Sequence, residues 1–138
     1  MTRSAEITLD WADGTYLFAL KWGQLIELQE KCDAGPYVVL GRIEDGSWRM
    51  GDIADTIRLG LIGGGTTPLD ALKLTRTYVE ARPPIENVRL AQAVLAAGLM
   101  GAPEERVGKP RAGASASTRS RTEKSASRKS SGPESQSG

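Results

Sequence analysis

A helix-forming run that empties into three glycines does most to narrow what this chain can become. Asp55-Thr56-Ile57-Arg58-Leu59-Gly60-Leu61-Ile62 leads into Gly63-Gly64-Gly65 and then Thr66-Thr67-Pro68. Glycine accepts the left-handed conformation that closes a helix, and proline suits the first turn of the next one. The spacing therefore predicts two packed helices joined by a sharp turn, with Thr67 as N-cap and Pro68 as first helical residue. Glycine-rich loops also cradle phosphates, but that pattern needs a lysine before Ser/Thr and a strand before the loop. This loop has Thr66-Thr67, no lysine, and a helix before it. Gly63, Gly64, Gly65, Thr67 and Pro68 are thus assigned to a structural turn.

Periodicity organises the rest. Ile7, Leu9 and Trp11 alternate with Thr8 and Asp10, and Thr15-Tyr16-Leu17-Phe18-Ala19-Leu20 follows Ala12-Asp13-Gly14, which reads as a β-hairpin about an Asp-Gly turn. From Trp22 the period lengthens: Trp22, Leu25, Ile26, Gln29 and Cys32 define one apolar helix face, with Glu27 and Lys31 paired on the wet side. Trp11 and Trp22 are expected in the core.

That helix stops near Asp33-Ala34-Gly35, where glycine can cap it, and Pro36 opens a short second one through Tyr37-Val38-Val39-Leu40, interrupted by Gly41 and closed at Asp45-Gly46. Ile53, Ala54, Ile57 and Leu61 mark a third helix up to Gly63. Leu69, Leu72, Thr75 and Val79 mark a fourth, which Pro83-Pro84 ends. A fifth starts near Asn87 and runs through Val88, Ala91, Val94, Leu95 and Leu99, with Arg89 and Gln92 as its strongly polar residues. A helix apolar nearly all round must be covered on most sides, so it is either the centre of the bundle or lends a face to another molecule. The fold class is mainly α: an N-terminal hairpin and a bundle of four to five helices.

Composition splits the chain in two. Residues 1–102 hold 10 lysines and arginines against 13 acids, whereas residues 103–138 hold 8 against 4 and hardly any aliphatic side chain. The first segment reads as one small domain and the second as a disordered Ser/Arg/Gly-rich tail, because it lacks the apolar area that offsets the entropy of ordering. Arg119, Arg121, Lys124, Arg128 and Lys129 offer weak, salt-sensitive contact with nucleic acid, but no aromatic residue is interleaved to stack bases. The start has no hydrophobic signal core and no apolar run reaches membrane-spanning length, which places the chain in the cytoplasm, without a membrane partner.

Catalysis finds little to use. The chain has no histidine, so the commonest general base and transition-metal ligand are missing, and its single cysteine, Cys32, has no histidine to activate it. Cys32 reads as a small buried apolar residue. Asp52 and Asp55 are three apart, but Asp52 falls in the first turn of a helix, where a carboxylate caps and is favoured by the dipole. The reading is a non-enzymatic interaction domain without metal or cofactor. Trp48 sits between Gly46 and Gly51 beside Arg49, a composition that suits either a partner-binding patch or a lid over the core.

Three stretches carry a resemblance: Trp22 through Pro36, Gly46-Ser47-Trp48, and Ile57-Arg58-Leu59-Gly60-Leu61-Ile62-Gly63-Gly64-Gly65. With Ala71-Leu72, Tyr78-Val79, Arg82-Pro83, Asn87-Val88, Leu90-Ala91 and Gly108-Lys109-Pro110 at matching spacing, the sequence resembles the tail-protein family of gene transfer agents and related siphophage-like prophages. Members are regarded as tail assembly chaperones, although the name tail tube protein is also attached to them. The resemblance implies a small helical adaptor that coats the tape-measure protein, recruits tail tube subunits and possesses no active site, with self-association as a further option. Partner contacts are then expected at Trp48, Arg49, Leu59, Val88, Leu95 and Leu99. A structural tail tube or tail-completion subunit is the first alternative, and a small basic-tailed nucleic-acid-binding accessory protein the second. Gly41 and the long Ser/Arg tail depart from the family pattern.

Overall fold

The computed structural model describes residues 4–103. Strands β1 (Glu6–Trp11) and β2 (Gly14–Ala19) form an antiparallel hairpin, followed by α1 (Trp22–Cys32), α2 (Pro36–Asp45), α3 (Met50–Gly63), α4 (Pro68–Thr75) and α5 (Val88–Met100). Between α4 and α5 the chain makes a π-helical turn over Arg76–Glu80 and a 3-10 turn over Pro84–Asn87. This is the mainly α architecture that the periodicity indicates. No helix among the described residues is long and apolar enough to cross a membrane. The Ser/Arg/Gly-rich stretch read as a tail, residues 103–138, lies outside the described ones except for Pro103.

The hairpin turn is Ala12-Asp13, one residue earlier than the Asp-Gly pair, and Ala12 takes a left-handed φ of 55°. A two-residue loop makes the flanking pair, Trp11 and Gly14, a hydrogen-bonded one, and the pattern then alternates. Thr15, Leu17 and Ala19 therefore aim their backbone groups away from β1. There they meet the end of α3: a Cβ at Gly63 would collide with the carbonyl oxygen of Ala19, and one at Gly64 with that of Leu17. Gly63 and Gly64 are needed for this close approach of backbone to backbone. Only Gly65, with φ of 111°, answers to the left-handed requirement of the turn. Thr67 caps α4 as expected, its hydroxyl accepting from the Asp70 N–H at 3.2 Å, and Pro68 is the first helical residue.

The core is built from Phe18, Leu20, Leu28, Val39, Leu40, Ile53, Ile57, Leu59, Leu61, Val94 and Leu95. α5 lies against α2, α3 and both strands through Ala91, Val94, Leu95 and Ala97, with Ala93 and Ala96 only half-buried, so it is covered on most sides but not all. α3, which meets β2, α1, α2, α4 and α5, is the central helix. Trp11 is half-buried and packs edge-on against Tyr16, Phe18 and Tyr78. Its indole N–H donates to the Asn87 side-chain oxygen at 2.8 Å, and the Asn87 amide donates to the Tyr78 carbonyl at 2.9 Å. This network ties the hairpin to the connection before α5.

Three expectations are corrected. Trp22 is 80% exposed instead of buried, because α1 turns Leu25, Leu28 and Cys32 inward and leaves Trp22 and Ile26 on its flank. Gly41 does not interrupt α2, which runs unbroken to Asp45. The fourth helix loses regular geometry after Thr75, whose hydroxyl bonds back to the Ala71 carbonyl at 2.8 Å, and widens into the π turn.

Candidate partner-binding site

α3 begins at a buried ion pair. The Arg42 guanidinium grips Asp52 with both oxygens, Nε to Oδ2 at 3.0 Å and Nη2 to Oδ1 at 2.8 Å, while the Arg49 backbone N–H donates to Oδ2 at 2.8 Å. Asp52, only 1% exposed, is thus the helix cap its position implies. Burial raises its pKa, but the Arg42 hydrogen bonds, the Arg49 N–H and the Arg42 charge outweigh that and hold the carboxyl below its usual value. Nearby Cys32 is buried, and burial, reinforced by Asp52 and Asp55, pushes its thiol up to about 12. It stays protonated at neutral pH, a poor nucleophile and a poor metal ligand.

The expected contact residues do not share one surface. Leu59 and Leu95 are 0% exposed and belong to the core, so a partner cannot reach them in this fold. Val88 and Leu99 are half-buried against the same core, as is Trp48, which covers it from the α2–α3 connection. Arg49 is exposed at the start of α3.

The exposed large apolar residues are others: Trp22 and Ile26 one turn apart on α1, Tyr37 and Val38 on α2, then Met50, Leu69, Ile85 and Met100. Pattern reading missed them because an apolar residue on a helix flank has the same spacing as one facing inward. Met50 helps form a groove of about 340 Å³ with Ile53, Ala54, Val79 and Pro84, edged by Asp55, Glu80 and Arg82. No group of three or more metal-ligating side chains occurs among the described residues.

The described residues thus form a small, mainly α domain with an N-terminal hairpin and several large apolar side chains at its surface. Residues 4–101 match the family described as phage tail tube protein, GTA-gp10, and the chain belongs to that family. It is a phage tail protein. Neither a curated protein nor a solved structure matches the chain.

Proposed function

We propose that the protein is a tail assembly chaperone of a gene transfer agent or prophage, which binds the tape-measure protein and brings tail tube subunits to it. The observation that carries this reading is the apolar surface: Trp22, Tyr37, Ile85, Met50 and Leu69 each stand more than half exposed on a helical body. Isolated exposed apolar residues are ordinary, but several large ones on so small a domain favour transient cover by another protein. Each large side chain buried against the tape measure would contribute about 1.5–3 kcal/mol. Among the earlier candidates, Trp48, Arg49, Val88 and Leu99 remain at or near the surface and stay in the proposal. Such a chaperone works in the bacterial cytoplasm, where tails are assembled, and needs no cofactor.

The family description favours a second reading, a subunit of the finished tube. Tube rings are closed by extended sheets, whereas the described residues hold one two-stranded sheet, so the chaperone stands first. Mass spectrometry of purified particles separates the two, together with deletion of the gene. The chaperone reading expects no tailed particles from the deletion and no trace of the protein in wild-type particles. Its stoichiometric presence in mature tails would replace that reading with the structural one.

A further inference from the structure

The outer edge of β1 is finished differently from that of β2. By the same alternation that aims Leu17 and Ala19 at α3, the backbone groups of Glu6, Thr8 and Asp10 point away from β2. The Glu6 N–H is taken by the Ser4 hydroxyl at 3.0 Å, and the Ala102 N–H donates to the Ser4 carbonyl at 2.7 Å, just before the strand begins. Beyond that point, the N–H and C=O groups of Thr8 and Asp10 have no partner among the described residues. An unpaired strand edge is a template for another strand.

Two further features surround this edge. Beside it, between β1 and α5, lies an apolar groove of about 290 Å³ whose hairpin wall is Ile7 and whose floor is Ala93, Ala96 and Ala97. These small side chains leave the space that inward-facing residues of a third strand would fill. On the opposite face Glu6, Thr8 and Asp10 are exposed, so the edge presents two carboxylates flanking a threonine. If a second copy paired here antiparallel about Thr8, Glu6 would face Asp10 of that copy, and like charges directly opposite are destabilising.

We propose that the β1 edge receives an extended segment of another protein that alternates apolar residues with lysine or arginine. Its backbone pairs with Thr8 and Asp10, its apolar side chains enter the groove over Ala93 and Ala96, and its cations face Glu6 and Asp10. The inference stands on the edge, the groove and the charges, and does not depend on the chaperone reading.

The test uses the full chain and two synthetic nine-residue peptides, one alternating valine with lysine and one valine with glutamate. Hydrogen exchange read by NMR should show the Thr8 and Asp10 amides protected by the lysine peptide and not by the glutamate peptide. The double variant Glu6→Lys with Asp10→Lys should weaken the lysine peptide roughly tenfold and turn the preference toward glutamate, since each cross-strand charge pair changes sign. Ala96→Leu, which fills the groove and leaves the edge and its charges intact, should weaken the lysine peptide as well. Circular dichroism checks that each variant is folded. The proposal is overturned if those amides stay unprotected at saturating peptide. Equal binding of both peptides to the wild type, or protection of the same amides by dimerisation in sedimentation, would overturn it as well.

Discussion

β1 and β2 are six residues each and pair along their whole length, yet the outer edge of β2 is sealed by backbone, whereas that of β1 has no backbone partner for Thr8 and Asp10 among the described residues. The sealed edge is closed by residues without side chains. Gly63 and Gly64 let α3 press its last turn onto the carbonyls of Leu17 and Ala19, so the hairpin and the bundle share one boundary. The open edge is guarded by charge, with Glu6 and Asp10 at its ends, a common way of stopping a strand from pairing with its own kind. The β2 edge is thus closed sterically, whereas the β1 edge is left to electrostatics.

The largest test of this contrast is Gly63→Val, with Gly64→Val beside it. The new side chain has backbone where it would sit, so urea denaturation should show a loss of about 3 kcal/mol or more. A smaller loss, under about 1 kcal/mol, would mean that α3 can lift off β2 and that the seal is loose.

The seal can also be disturbed from the far end of α3. Asp52→Ala removes the helix cap and leaves Arg42 without its carboxylate, which should cost about 2–3 kcal/mol. Because the folded state holds the Asp52 carboxyl below its ordinary value, that contribution is fully present above the unfolded pKa, about 3.9. It is lost as pH falls through the lower folded value. Denaturation midpoints of wild type and variant should therefore differ at pH 7 and converge in acid. A gap that persists undiminished at low pH would show that the ion pair is not its source.

Gly65→Ala probes the turn apart from the seal. A Cβ there meets nothing within 4 Å, but φ is 111°, so only the conformational penalty applies, about 1 kcal/mol in thermal melts. Smallest of all, Thr8→Lys on the open edge should change stability by no more than about 0.5 kcal/mol. A loss comparable to that of Gly63→Val would mean the β1 edge is already occupied within the fold, and the contrast between the edges would fall.

Much of this molecule is written in local sequence. The alternation of Ile7, Leu9 and Trp11, the Thr67-Pro68 start of α4, the Asp52 cap and the break at Pro83-Pro84 depend on neighbours a few residues away, and residue type settles them. The over-apolar α5 also announced its cover, and packing supplies it from α2, α3 and both strands, while α3 takes the centre. Which flank of α1 faces inward was not legible. Ile26 and Leu28 are both strongly apolar, and only contact with α3 and α2 turns Leu28 in and leaves Ile26 and Trp22 out. For the same reason Leu59 and Leu95 could be taken for surface residues. The pairing of Arg42 with Asp52 spans separate helices, so no spacing rule reports it. The three glycines were visible as a turn from sequence. That two of them exist to let β2 come close was decided by tertiary structure, because a steric constraint is set by whichever backbone arrives from elsewhere in the chain.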